Sequence, residues 1–261
     1  MTILDEIADY ARIRVQKKKE IKSIEALRFE AAMFQKEGFP FEEALKGEDI
    51  SFICECKKAS PSKGIIAEDF PWLDIALDYE KAGADAISVL TEPKWFLGKD
   101  EYLSEISSLV KTPCLRKDFV VDEYMIYEAS ILGASAVLLI CSILTKEEIK
   151  RYISICDGLG LSALVEAHDE KEVQMALESG ARIIGVNNRN LKDFSVDTDN
   201  SKKLRSLIPE DVIYVSESGI KEASDVQSLR EAGVNAVLVG ETLMRARDKE
   251  QKLKELKGIK I

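Results

Sequence analysis

The stretch REAGVNAVLVGET, residues 230–242, ends a polar helix-like segment with a glycine, waits two residues, and then runs through four apolar residues. The same order recurs in EKAGADAISVLTE (80–92), SILGASAVLLICS (130–142) and LESGARIIGVNNR (177–189). Gly83, Gly133, Gly180 and Gly233 fit the position just past a helix, where φ is positive and a Cβ is penalised. The apolar runs are short, rich in Val, Ile, Leu and Ala, and show no sustained polar alternation. Such runs read as strands of a parallel sheet, buried on both faces.

Working outward, further strands are expected at 51–56 (SFICEC), 114–117 (CLRK), 162–166 (SALVE) and 212–217 (VIYVSE). With 86–90, 136–140, 182–187 and 235–239 they make eight. Amphipathic stretches such as WLDIALDYEKA, DEYMIYEASIL, TKEEIKRYISICDGL and KEASDVQSLREA separate them. Eight alternating βα units within one chain of this length predict an α/β fold, a (β/α)8 TIM barrel. A doubly wound open sheet is the alternative. It usually carries a glycine-rich loop after its first strand, where this chain has KKASPSKG. Residues 1–48 are expected to form an N-terminal helical extension, and 49–261 the barrel that carries the chemistry. The segments ILDEIADYARIRVQKKKEI and SIEALRFEAAMFQ read as two amphipathic helices. Position along the chain leaves open whether they cap the barrel floor, pack on its side or cover its mouth.

The chain has 261 residues and a formal net charge of -10, which disfavours nucleic acid and anionic membrane as partners. Lys57, Lys58 and Lys63 crowd the turn FICECKKASPSKG (52–64), and this local basic patch suits a small anion. The five cysteines, Cys54, Cys56, Cys114, Cys141 and Cys156, are odd in number and lack C-x-x-C spacing. They read as small buried hydrophobes in a reducing cytoplasm. No apolar signal-peptide core follows Met1, and the longest apolar run, AVLLICSIL, is too short for a bilayer.

In such a barrel the chemistry gathers where strands end. The first ends in Glu55 and Lys57, two apart and so on one face. The third ends in Lys117, the fifth in Glu166, the sixth in Asn187 and Arg189, the seventh in Glu217 and Ser218. Charges converging on one rim are costly to desolvate without pairing or a ligand, so the set reads as functional. Gly219 and Gly240, in ESGI and GETLM, put backbone N–H groups ahead of helices at strands seven and eight, a frequent phosphate seat. His168, the sole histidine, reads as a neighbour of a helix cap, and Glu166 is preferred as the base. No spacing points to a metal or to a nucleophilic triad. What remains is acid–base chemistry on a small phosphorylated sugar.

The motifs CECKKASPSKG, LTEPKWFLG, CLRKDFVVDEYMIYEA, LVEAHDEKE, GVNNRNLKDF, VSESGI and VLVGETLM together resemble the indole-3-glycerol phosphate synthase family over essentially the whole chain. Thr242 stands where a serine is frequent, and Cys56 where an aliphatic residue is frequent. The resemblance implies ring closure, decarboxylation and dehydration of 1-(2-carboxyphenylamino)-1-deoxyribulose 5-phosphate in tryptophan biosynthesis, with no organic cofactor and no metal. It makes Lys117 the general acid and Glu166 the base of dehydration. Lys57, oriented by Glu55, would neutralise the substrate carboxylate. Asn187, Arg189, Glu217 and Ser218 would position substrate. Ser60, Gly219, Gly240 and Glu241 would bind phosphate, and Phe96, Leu115, Phe119, Leu138 and Leu191 would form an apolar wall. The implied partner is a phosphorylated small molecule, and monomer and weak homodimer both stay open. Two rivals remain: another phosphosugar barrel, which would favour Cys/Asp or Asp/Asp pairs, and a silent phosphate-binding barrel, which has no use for the lysine–carboxylate set.

Overall fold

The structure, a computed structural model, describes residues 2–190 and 194–259. Eight parallel strands close into a barrel: β1 (Ser51–Cys56), β2 (Ala86–Leu90), β3 (Cys114–Lys117), β4 (Ala136–Ile140), β5 (Ser162–Ala167), β6 (Ile183–Asn187), β7 (Ile213–Glu217) and β8 (Ala236–Val239). Each pairs with the next in sequence, and β8 returns to β1 with Ser51 opposite Ala236. The first four strands have the expected bounds, and the other four differ by one residue at one end. The four expected helix-ending glycines hold φ of 80°, 84°, 85° and 76°.

The period-two alternation of a strand sorts side chains into two cores. Ile53, Leu115, Leu138, Leu164, Val215 and Leu238 fill the barrel interior. Their sequence neighbours, among them Phe52, Cys54, Val137 and Val165, pack against the surrounding helices. All five cysteines are free and buried. No helix among the described residues is long and apolar enough to cross a membrane.

The chain before β1 goes to both ends of the barrel. Helix α1 (Ile3–Ile21) starts with a Thr2/Asp5 capping box. Its Ile3, Leu4 and Ile7 line a cavity at the mouth. Arg14 ties it down through Asp118, at 3.2 and 2.7 Å. Helix α2 (Ile24–Ala31) follows, and then α3 (Pro40–Ala44) turns under the floor. There Phe41 and Leu45 enter the interior core. Each buried side chain of that size is worth roughly 1.5–3 kcal/mol. Of the two helices expected here, the first reaches the mouth and the second packs on the barrel's side against the helix Tyr124–Ile131, while the floor is capped by α3, which the sequence did not single out.

Between β1 and its helix α4 (Trp72–Lys81) the loop forms a small hairpin, Ala59 opposite Ile65 and Ser60 opposite Gly64. The remaining helices that matter for the mouth are α5 (Asp100–Leu109), α6 (Tyr124–Ile131), α7 (Lys146–Leu159), α8 (Glu170–Glu178), α9 (Asp199–Leu204), α10 (Ala223–Glu231) and the short α11 (Glu241–Arg245).

Candidate active site

Lys117 closes β3 and points into the mouth, its side chain buried among carboxylates from other strands. Its Nζ lies 3.3 Å from Glu217 Oε2 on β7 and 3.5 Å from Glu166 Oε2 on β5. On β1, Lys57 Nζ donates to Glu55 Oε1 at 2.6 Å, and Ser88 donates to Glu55 Oε2 at 3.3 Å. Glu55, Glu166 and Glu217 are all buried. Three carboxylates thus crowd around two ammonium groups. Glu217 Oε1 has no hydrogen-bond partner.

The electrostatics follow from that crowding. Burial alone would lower the Lys117 pKa, but Glu217, Glu166 and Glu55 outweigh it and hold the group above its ordinary value. Burial would raise Glu55, and Lys57 and Lys117 reverse this, so its pKa falls below the ordinary carboxylate value. Glu217 goes the other way. Burial pushes it up to about 7, with Lys117 opposing and the charges of Glu166 and Glu55 adding to the rise. The cluster therefore holds a firmly charged lysine beside a carboxyl poised near neutrality.

Two glycines make the room. A Cβ at Gly185 on β6 would stand 2.3 Å from Glu217 Oε1. A Cβ at Gly240 would stand 2.4 Å from Glu55 Oε1 and 2.9 Å from Lys57 Nζ. Gly240 has φ of -115°, so its lack of a side chain serves this close approach rather than a left-handed turn. Gly219 does need positive φ, at 90°, and the preceding Ser218 adopts 69°. Since β7, β8 and β1 are neighbours, the loops bearing Gly219, Gly240 and Ser60 sit side by side. Thr242 Oγ1 donates to the Ile220 carbonyl at 2.5 Å and joins two of them. Lys63 Nζ reaches Glu241 at 3.7 Å, so the hairpin leans on the start of α11.

Phe96 and Phe119 face each other with ring centroids 5.9 Å apart. Phe96 is held by a residue the sequence reading passed over. The fully buried Glu92 accepts from the backbone N–H groups of Lys94, Trp95 and Phe96 at 2.9, 2.7 and 2.9 Å. An acid directly after a strand and ahead of PKWFLG was the available signal. Asn188 was also missed. It bonds Ser216, the Ser218 carbonyl and Ser201, and so fixes the ends of β6 and β7 to α9. Asn187 Oδ1 accepts from Arg189 N–H at 3.0 Å, while Arg189 Nη1 donates to the Phe194 carbonyl at 3.3 Å.

A cavity of about 1030 Å³ opens over this cluster. Its lining includes Glu55, Lys57, Ser60, Phe96, Lys117, Phe119, Leu138 and Glu166, together with Asn187, Arg189, Glu217, Ser218, Gly219, Gly240 and Glu241. Leu115 is the exception. It lies one strand step below Lys117, wholly buried in the interior core, and does not line the cavity. Leu191 lies outside the described residues. Lys58, adjacent to Lys57, is not part of the lining. No cluster able to hold a metal ion occurs among the described residues.

A closed parallel barrel with lysines and carboxylates converging on a deep cavity at its strand ends is a (β/α)8 enzyme. The family model described as indole-3-glycerol phosphate synthase matches residues 4–256, and the chain belongs to that family, carboxy-lyases of tryptophan biosynthesis. The indole-3-glycerol phosphate synthase of Ruminiclostridium cellulolyticum is 56% identical over 257 residues, 98% of this chain and 99% of that one. The one from Endomicrobium trichonymphae is 54% identical over 256 residues, again 98% and 99%. Among solved structures, a 3-hexulose-6-phosphate synthase aligns with a TM-score of 0.64 at 14% identity, covering 81% of this chain and 100% of that one. A tryptophan synthase α2β2 complex chain from Pyrococcus furiosus aligns at 0.61 and 17%, covering 81% and 99%. At such identities these structures share the fold alone.

Proposed function

We propose that the mouth of the barrel binds 1-(2-carboxyphenylamino)-1-deoxyribulose 5-phosphate and converts it to indole-3-glycerol phosphate, CO2 and water. The observation that carries this reading is Lys117 held charged between Glu166 and Glu217, across the mouth from the glycine turns of β7 and β8. The phosphate sits at Ser60, Gly219, Gly240 and the Glu241 backbone. The aromatic ring lies against Phe96, Phe119 and Leu138. Anchoring both ends folds the flexible chain so that the ring carbon bearing the carboxylate meets the ketose carbonyl.

Carbon–carbon bonding there interrupts the aromatic sextet and places negative charge on the carbonyl oxygen. A preorganised cation at that oxygen lowers the barrier, and Lys117 supplies it and then delivers its proton. Its raised pKa keeps the proton in place until the oxygen becomes the stronger base. Lys57, aimed by Glu55, neutralises the substrate carboxylate. Loss of that group as CO2 leaves its bonding electrons to the ring. Glu166 then removes a proton from the methylene carbon beside nitrogen as the new hydroxyl takes a further proton from a lysine of the cluster and departs as water. Asn187, Arg189, Glu217 and Ser218 position the sugar hydroxyls. The reading places the enzyme in the cytoplasm.

The deciding experiment mixes the protein with the carboxyphenylamino ribulose phosphate and follows indole fluorescence. Growth of that signal is expected. Phosphate binding without it would leave a silent phosphate-binding barrel.

A further inference from the structure

His168 leaves β5 just beyond Glu166, and its ring is trapped between two carboxylates. Nδ1 lies 3.1 Å from Glu172 Oε2, and the His168 backbone N–H donates to the same oxygen at 2.8 Å. Glu172 is itself fixed. Its other oxygen accepts from Ser142 at 2.6 Å, and its backbone N–H is capped by Asp169 at 2.9 Å. On the ring's far side, Nε2 is buried, lacks a hydrogen-bond partner, and faces Glu166 Oε1 at 3.5 Å. The other Glu166 oxygen faces Lys117.

The chemistry of the ring restricts what this geometry allows. A carboxylate at Nδ1 requires a proton there, because a carboxylate only accepts. If the imidazole were neutral, Nε2 would then present a bare lone pair to Glu166. That contact is repulsive unless a proton occupies it. One proton therefore sits between Nε2 and Glu166 Oε1, and the ring is an imidazolium whenever Glu166 is ionised. The other groups facing this unit agree. Glu217 lies beyond Glu166 and adds negative charge, and Asn200 of α9 holds the His168 carbonyl at 3.0 Å. Burial disfavours the charged ring, yet Glu172, Glu166 and Glu217 prevail and the His168 pKa stands above its ordinary value.

We propose that His168 is a positioning residue for Glu166: clamped by Glu172 and Ser142, its Nε2–H holds the Glu166 carboxylate in one orientation, ready for proton abstraction. The last clause rests on Glu166 being the base of dehydration; the pairing does not. In this arrangement Glu166 has Lys117 on one oxygen and His168 on the other, and closing the 3.5 Å gap by a few tenths of an ångström completes a charge-assisted bond. The arrangement parallels the outer partners that orient active ligands in other sites.

The single histidine makes a direct test possible. Protein labelled with 15N-histidine shows one imidazole. Both ring nitrogens are expected to be protonated at pH 7, with a titration midpoint above that of free histidine. In Glu166→Gln the midpoint should fall by about one unit, the size of one nearby charge. A ring with one bare nitrogen at pH 7, or a midpoint unmoved by Glu166→Gln, overturns the pairing. A second arm uses single-turnover dehydration. His168→Gln should slow that step about tenfold with KM nearly unchanged. His168→Gln at the parent rate overturns the positioning role. If the labelled ring behaves as expected but Glu166→Gln dehydrates at the parent rate, the assignment of the base fails and the pairing stands.

Discussion

At the floor of the barrel, Arg182 donates to Glu42 through three contacts of 3.1, 3.1 and 2.8 Å, and to Asp157 at 2.9 Å. At the mouth, Lys117 meets Glu217 and Glu166 only at 3.3 and 3.5 Å, and a carboxylate oxygen of Glu217 is left unpaired. Both ends bury a carboxylate. The floor saturates it with a forked guanidinium whose outer edge stays in solvent. The mouth crowds carboxylates around a point charge and leaves open space above. An ion pair built for stability closes its geometry. One built to receive a ligand stays loose and holds more negative charge than it can neutralise internally. β3 repeats the contrast in adjacent residues. Arg116, turned outward, is fully buried and saturated by Asp100, Glu128 and the Met125 carbonyl. Lys117, turned inward, is not saturated.

The contrast breaks first if Lys117 proves dispensable. Lys117→Ala should lower kcat about 10³-fold or more, because the cation at the developing oxyanion disappears. Fluorescence titration should still show product binding, since the phosphate and ring contacts remain. A kcat within tenfold of the parent would remove Lys117 from the acid role. Glu166→Gln should slow dehydration about 10²-fold, a typical worth for a positioned base. Single-turnover traces that resolve a late step at the parent rate would count against it.

The floor should respond oppositely. Arg182→Ala strands the buried Glu42, at a cost of about 2 kcal/mol. Urea unfolding should record that loss while kcat changes less than twofold. A large fall in kcat with unchanged stability would erase the distinction between the two ends. At the mouth, the stability effect depends on pH. Glu217 has its folded pKa raised to about 7, above the ordinary carboxylate value of 4.5. Its neutral form is favoured by the fold, so its contribution is complete below the unfolded pKa and is lost as pH rises through about 7. Glu217→Gln keeps the neutral form at every pH. It should be more stable than the parent at pH 8, by on the order of 3 kcal/mol, with the difference vanishing near pH 4. Parallel melting curves across that range would show that Glu217 is not strained.

The barrel was legible because its signals are local. Four helix-ending glycines and eight short, mostly apolar runs depend on backbone preference and burial, both readable from neighbours in sequence. The rim was legible in part for the same reason, since a strand's last polar residue must leave the core. Depth was not. Leu115 shares the face of Lys117, but nothing in CLRK says how far below the cavity floor one strand step lies. The true work of Gly240 was equally hidden. Its missing Cβ matters to Glu55 and Lys57, which stand on a strand at the other end of the chain and reach it only when β8 closes onto β1. Glu92 escaped because its partners are backbone groups, which sequence does not distinguish, and Asn188 because its partners Ser201, Ser216 and Ser218 lie on other elements and meet it only in the fold. His168 was seen, but its meaning depends on Glu172, one helical turn on, and on how α8 docks against β5.

The smallest expected effect tests the reading at the finest spacing. Lys57 and Lys58 are adjacent and chemically identical, yet only one of them belongs to the cavity. Lys57 lines the cavity and holds Glu55 at 2.6 Å, whereas Lys58 offers its carbonyl to the N–H groups of Ile66 and Ala67. That second role belongs to the backbone and survives any side-chain change. Lys58→Ala should therefore keep kcat/KM within about twofold of the parent, as surface substitutions usually do. Lys57→Ala should abolish turnover under the same assay. If both variants fell together, the basic character of the hairpin would matter as a whole, through long-range attraction of an anionic substrate. Raising ionic strength separates the cases: screening at 1 M salt, where the Debye length is about 3 Å, would weaken a diffuse attraction and leave the Lys57–Glu55 pair working.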